Sequence, residues 1–322
     1  MNEYIGNRLQ ISGVQEMRLV GGKGDGLRIY EVTNGKGLEL KISPDRCGDI
    51  PQLKFQGFNC SYLSPCGYVA PAYYDSSGMK WLESFTAGFL TTCGLQAVGA
   101  PCEDEGESLS LHGSIANLPC IHSYWEEDDR EIRIHAITED EQVFGRKLVL
   151  RRTIAVSKEE NAFVISDEIE NTGTAVEPYE LLYHMNMGYP LLDEDSIVTI
   201  PSIDVAAKDE AAAKGLDNWM NMEKPQAGFA EQCFYHQFRG DRATVSIRQP
   251  KTGIELSISA NPQILDHFVE WKMMGVREYV LGLEFGNCLL EGRNVMRQKG
   301  ILKFLNPGEK KLYEVRIDLK KD

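Results

Sequence analysis

No stretch of the chain approaches the roughly 20 apolar residues needed to cross a bilayer, and the opening MNEYIGNRLQISG has no apolar core of signal-peptide length. The expectation is a cytoplasmic protein with no membrane partner. Basic side chains are also in short supply, with 34 Lys and Arg against 48 Asp and Glu and a formal charge of -14. Without a basic stripe to meet phosphate backbones, nucleic acid is not expected as a partner. The eight cysteines include no Cys-x-x-Cys pair with histidine partners, so they read as reduced thiols rather than as metal ligands or a disulfide framework. The glycines at 21, 22, 24 and 26 lack the Lys-Ser or Lys-Thr ending of a phosphate loop, and Leu27 to Val32 after them reads as strand. A hairpin turn accounts for them. Acidic clusters at Glu103 to Glu107 and Glu126 to Asp129 read as solvated loops.

Long amphipathic helices are scarce too. The best helical segment is Asp209 to Gly215, and it is short. What the chain has in quantity is short strands bounded by Gly, Pro, Asn or Asp. These include Leu38 to Ser43, Glu131 to Ile137, Lys147 to Val156, Ala162 to Glu170, Tyr179 to Met185, Ala243 to Gln249, Gly253 to Ala260, Glu278 to Glu284 and Lys311 to Leu319. No repeat, Pro-rich linker or low-complexity tract divides them. With 42% hydrophobic and 25% charged residues, the chain can bury a large core, and one all-β domain over residues 1–322 is the simplest expectation.

Two strands carry polar residues where alternation makes them informative. In Tyr179 to Asn186, one face is Tyr179, Leu181, Tyr183 and Met185, and the other is Glu180, Leu182, His184 and Asn186. The second face reads as a polar cleft floor, against the alternative of a histidine on a solvated strand. In Tyr279 to Gly286, the apolar side is Tyr279, Leu281, Leu283 and Phe285, and the other carries Glu284 between Gly282 and Gly286. Glycines on both sides of a carboxylate leave room for a ligand to approach, or mark a bulge beside an exposed acid. Two loops add candidates. Ser43 to Asp49 holds Arg46 and Asp49, and Ser110 to Ser114 sets His112 before a glycine. Each could equally be a local ion pair or a loop hydrogen bond.

Taken together, Leu111-His112-Gly113, then Leu182 to Pro190 with His184 and Asn186, then Gly282-Leu283-Glu284 with Gly286-Asn287 and Gly292-Arg293 resemble the motifs of the galactose mutarotase-like (aldose 1-epimerase) superfamily, in a less characterised branch. The resemblance runs over roughly residues 37 to 318. It implies a large two-sheet antiparallel β-supersandwich that binds a monosaccharide on a concave face. By the same resemblance, Glu284 corresponds to the catalytic base, His184 and His112 to the two histidines, and Arg46 to a sugar-gripping arginine. Asp49, Asn186 and Trp271 are placed near the sugar. Phe285 stands where this branch usually has proline.

Anomer interconversion removes a proton from the anomeric hydroxyl and supplies one to the ring oxygen, so one base and one acid suffice. With ordinary values of about 4.3 for Glu and about 6.5 for His, Glu284 serves as base and His184 as acid, with no cofactor or metal. Glycoside hydrolysis would need a second carboxyl group, for which Asp49 or Glu180 are the candidates. A binding protein that has lost turnover keeps the same fold. Cys93 as a nucleophile has no base that the sequence assigns to it.

Overall fold

The structure, a computed structural model, describes residues 3–322. Strands dominate it and pack as two large antiparallel sheets. The first runs in the order Gly13–Arg18, Arg28–Thr33, Leu38–Ser43, Asp49–Phe55, Leu90–Leu95, Glu177–Met187, Tyr279–Gly286, His267–Met274, Gln232–Gln237 and Asp204–Ala207. The second runs His122–Glu127, Glu131–Glu141, Lys147–Ser157, Ala162–Asn171, Lys310–Lys321, Ile254–Ala260, Ala243–Gln249 and Ile197–Thr199. This is the antiparallel sandwich expected from the strand-rich sequence. The nine strands read from the sequence all form, most of them a residue or more longer at one or both ends. Asp209 caps a single helical turn, Glu210–Ala213, by accepting from Ala212 N at 3.0 Å.

Alternation explains the core. Leu181, Tyr183, Leu283 and Phe285 of the first sheet meet Ile134, Ile154, Ile165 and Val315 of the second in one continuous cluster, as facing sheets require. Phe285 sits in this layer against Phe268, ring centroids 4.7 Å apart. The strand stays in register through it, so the missing proline leaves the backbone regular.

The outer face of the first sheet departs from expectation. A half-buried strand should turn one side to water, yet Glu177–Met187 is buried on both sides from Tyr179 onward. Residues 62–88 and 97–117, on either side of the sheet strand Leu90–Leu95, cover it with a layer of short strands and 3-10 turns. From that layer Trp81, Phe85, Val98 and Leu111 pack on Leu182, Val269 and Leu290 in a second apolar cluster. The stretch Glu103 to Glu107, expected as a solvated loop, is instead part of a hairpin between Cys102–Asp104 and Glu107–Leu109. Its Asp104 is buried and accepts from Arg293 Nε at 2.7 Å and Arg297 Nε at 2.8 Å. Glu126 and Glu127 are exposed as expected, although they end a strand.

Candidate active site

Strand register builds the site. Leu182 pairs with Gly286 and Asn186 with Gly282, which sets His184 directly across from Glu284 on the neighbouring antiparallel strand. Directly opposed side chains on one face lie close enough to touch, and His184 Nδ1 is 3.2 Å from Glu284 Oε1. The contact is not aligned as a hydrogen bond. Both carboxylate oxygens of Glu284 and Nδ1 of His184 are buried without a partner. Such orphans each cost about 1–3 kcal/mol, and here three of them meet at one point.

Gly282 is vacant space of a different kind from that expected. A Cβ there would lie 2.2 Å from Glu284 Oε1 and 3.0 Å from Trp271 Cβ. The Glu284 carboxyl folds back over the glycine, so the missing side chain makes room for the acid itself. At Gly286 the room is taken by Leu182 Cδ1 and Leu181 O, at 2.7 and 2.8 Å from an added Cβ.

Aromatic rings enclose the pair. Phe85 lies 5.4 Å and Trp271 5.2 Å from the His184 ring, centroid to centroid, and the His112 ring is 5.6 Å from it. Trp81 backs His112 at 4.9 Å. These rings and both sulfur-bearing and aliphatic neighbours line a cleft of about 590 Å³ that contains Glu284, His184, His112 and Trp271. His112 has φ 55 and is held by Gly94 N donating to its carbonyl at 3.0 Å. Its Nδ1 accepts from Gly99 N at 3.3 Å, which fixes the ring proton on Nε2 as a donor. Trp271 Nε1 donates to Glu231 Oε2 at 2.9 Å.

Burial sets the protonation of these groups. Desolvation pushes the Glu284 carboxyl well above the usual carboxylate range, with the Glu231 charge adding to it. The same loss of water brings His184 down to about 4, and it brings His112 to about 3 with help from His184. Charge on either partner is disfavoured, so the pair keeps its single proton on Glu284 beside a neutral His184. That is the reverse of the assignment made from ordinary pKa values.

Three of the expected sugar contacts lie elsewhere. Arg46 is buried, donating to Val69 O at 2.9 Å and Asn117 Oδ1 at 3.0 Å. Asp49 accepts from Thr92 Oγ1 at 2.6 Å and from Arg152 Nη1 at 3.2 Å, within the sandwich. Asn186 shares the His184 face but is fully buried, its Nδ2 donating to His184 O at 3.0 Å. None of the three lines the cleft. The covering layer holds Arg46, the Arg152 charge cluster holds Asp49, and the backbone of its own strand holds Asn186. Glu180 is likewise committed, its Oε2 accepting from Val98 N at 2.7 Å, and Cys93 is a buried thiol pushed well up by desolvation. Sequence reasoning missed Trp81, Phe85, Tyr62, Lys208 and Glu231, which also line the cleft. Most of them sit in irregular segments where no strand period marks a face. Among the described residues, no group of three His, Cys, Asp or Glu side chains is arranged to hold a metal ion.

A family model described as a domain of unknown function, DUF4432, matches residues 24–319. No curated protein matches the sequence. Among solved structures, a Klebsiella pneumoniae protein described as a candidate aldose 1-epimerase superposes with a TM-score of 0.89 at 24% identity, covering 96% of this chain and 83% of that one. A galactose mutarotase-like protein from Clostridium acetobutylicum superposes at 0.67 with 12% identity, over 97% and 100% of the two chains. Galactose 1-epimerase from Lactobacillus acidophilus NCFM superposes at 0.65 with 14% identity, over 96% and 99%. The fold is therefore the galactose mutarotase-like sandwich.

Proposed function

The chain belongs to the DUF4432 domain family, and from the cleft it carries we propose that it is an aldose 1-epimerase, interconverting the anomers of a monosaccharide by acid–base ring opening. The observation that carries this reading is the facing of His184 Nδ1 and Glu284 Oε1 at 3.2 Å, both buried and outside any aligned hydrogen bond, inside a cleft. A pair holding one proton between two groups is what the reaction asks for. One member takes the proton of the anomeric hydroxyl while the other protonates the ring oxygen, and the roles exchange when the ring closes on the other aldehyde face. In the order that burial favours, Glu284 gives the first proton and His184 receives one. The Nε2–H of His112 is a donor for a sugar oxygen, and the Trp271 ring is an apolar wall for a sugar face. The reaction as proposed uses no cofactor.

The two carboxyl groups named for hydrolysis, Asp49 and Glu180, are bonded away from the cleft. The test is saturation-exchange NMR across a panel of free sugars. The expected result is accelerated α to β exchange for at least one sugar, reduced about 10² to 10⁴-fold in Glu284→Gln and in His184→Asn. Binding with no acceleration for any sugar would overturn the enzyme reading in favour of a binding protein.

A further inference from the structure

The cleft is built for carbon more than for hydroxyl groups. At about 590 Å³ it is sized for a ligand within the range of drug-like molecules. Apart from the two histidines, Glu284 and a polar group of Tyr62, Lys208, Glu231 and Glu278, much of its wall is Met79, Leu82, Phe85, Trp271 and Met273. Arg46, Asp49 and Asn186, polar groups that could have read hydroxyls, are bonded elsewhere. The Ser64 hydroxyl at the wall is used up on Phe85 O at 2.5 Å. A ring with a hydroxyl at every carbon would set several of them against apolar surface without partners, which an apolar substituent would avoid.

Two further features agree. Met79 and Leu82 stay 54% and 48% exposed on the short turn Gly78–Ser84 although both border the cleft. Apolar side chains left in water beside a pocket gain by covering. Charge also selects. Glu231 and Glu278 line the cleft against one ammonium, Lys208, and Lys208 Nζ already lies 3.4 Å from Asp209 Oδ2. A phosphorylated sugar would meet net repulsion there.

We infer that the aldose taken by this cleft is uncharged and carries an apolar substituent, such as a deoxy carbon or an O-alkyl or O-acyl group. Its hemiacetal meets Glu284 and His184, and the substituent packs on the apolar wall. This rests on the anomer-exchange reading above.

The experiment compares exchange rates for one hexose, its 6-deoxy form, its mono-O-methyl ethers at carbons 2, 3, 4 and 6, and its 6-phosphate, with calorimetric binding of each. At least one apolar form is expected to exceed the parent hexose in kcat/KM by about tenfold or more, and the phosphate to fall below it by as much. Replacing Met79 and Leu82 by Gln is expected to shrink the first ratio toward one. Leu82→Gln alone serves if the double variant does not fold. Exchange in which no apolar form exceeds the hexose, or in which the phosphate equals it, would overturn the substrate class and leave the epimerase reading standing. Tight binding of an apolar form with no exchange of any sugar would support the class and overturn the epimerase reading. Neither binding nor exchange would overturn both.

Discussion

At the scale of single residues, the chemistry turns on where one proton rests. His184 is held down to about 4 and Glu284 is held up by the same desolvation, so the pair carries one proton from about pH 4 upward until the raised Glu284 carboxyl ionises. Below about 4, His184 gains a second proton for the pair and no base is left. At high pH both are deprotonated and no acid is left. The expected kcat/KM profile has its acid limb near 4, set by His184, and its alkaline limb set by the raised Glu284 carboxyl, and pH-dependent exchange NMR reads both. An alkaline limb that tracks titration of the His184 ring, followed by its NMR shifts, would return the proton to His184. Gly282 belongs to the same argument, because a methyl group there meets Glu284 Oε1 at 2.2 Å. Gly282→Ala is expected to lower kcat at least about tenfold by displacing the carboxyl, at a stability cost of about 1–3 kcal/mol. Single-turnover rates and urea unfolding on the same variant separate the two. Both residues of the pair were legible from strand alternation, since each lies opposite an apolar face. Their protonation was not, because it follows from a covering layer that the alternation does not reveal.

At the scale of elements, the His112 turn is positioned by the backbone rather than by side chains. Gly113, at φ +72, passes so close to the strand Leu90–Leu95 that an added Cβ would be 2.3 Å from Gly94 O and 2.6 Å from Ala97 O. His112 beside it holds φ 55 and a bond from Gly94 N. Gly113→Ala is expected to cost about 1–3 kcal/mol and, by lifting His112 from the cleft, to raise KM more than it lowers kcat. Steady-state exchange rates over a sugar titration check that split. The sequence marked this glycine as one that frees the backbone after His112, and the structure gives the reason in a specific close approach. The strands themselves were legible because their period of two is a local signal. Segments such as Gly78–Ser84, which supplies Trp81 to the cleft, have no period, and their place is set by the surface they cover. For the same reason Arg46 and Asn186 looked available in the sequence and are buried in the fold.

At the scale of the molecule, the site exists because Glu177–Met187 and Tyr279–Gly286, about a hundred residues apart in sequence, are neighbours in the first sheet. Long-range pairing of this kind leaves no local trace, so the meeting of His184 and Glu284 came from resemblance until the register supplied it. What holds the first sheet against the second includes a charge cluster at the centre of the sandwich. Arg152, on the second sheet and wholly buried, donates to Asp167 Oδ1 and Oδ2 at 2.9 and 2.7 Å and to Asp49 of the first sheet at 3.2 Å. Tyr183, one residue before His184, donates to Asp167 Oδ2 at 2.8 Å from the first sheet. Removing the cation alone would leave two carboxyl groups facing each other in the dry interior. Arg152→Leu is therefore expected to cost about 3–5 kcal/mol, measured as a fall in the urea midpoint at unchanged slope. Replacing Arg152, Asp167 and Asp49 together by apolar residues of similar volume is expected to recover most of that loss, since the penalty lies in the unpaired charges and the paired cluster contributes little net stability. A triple variant no more stable than Arg152→Leu would show instead that the hydrogen bond from Tyr183 to Asp167 holds the sheets in place.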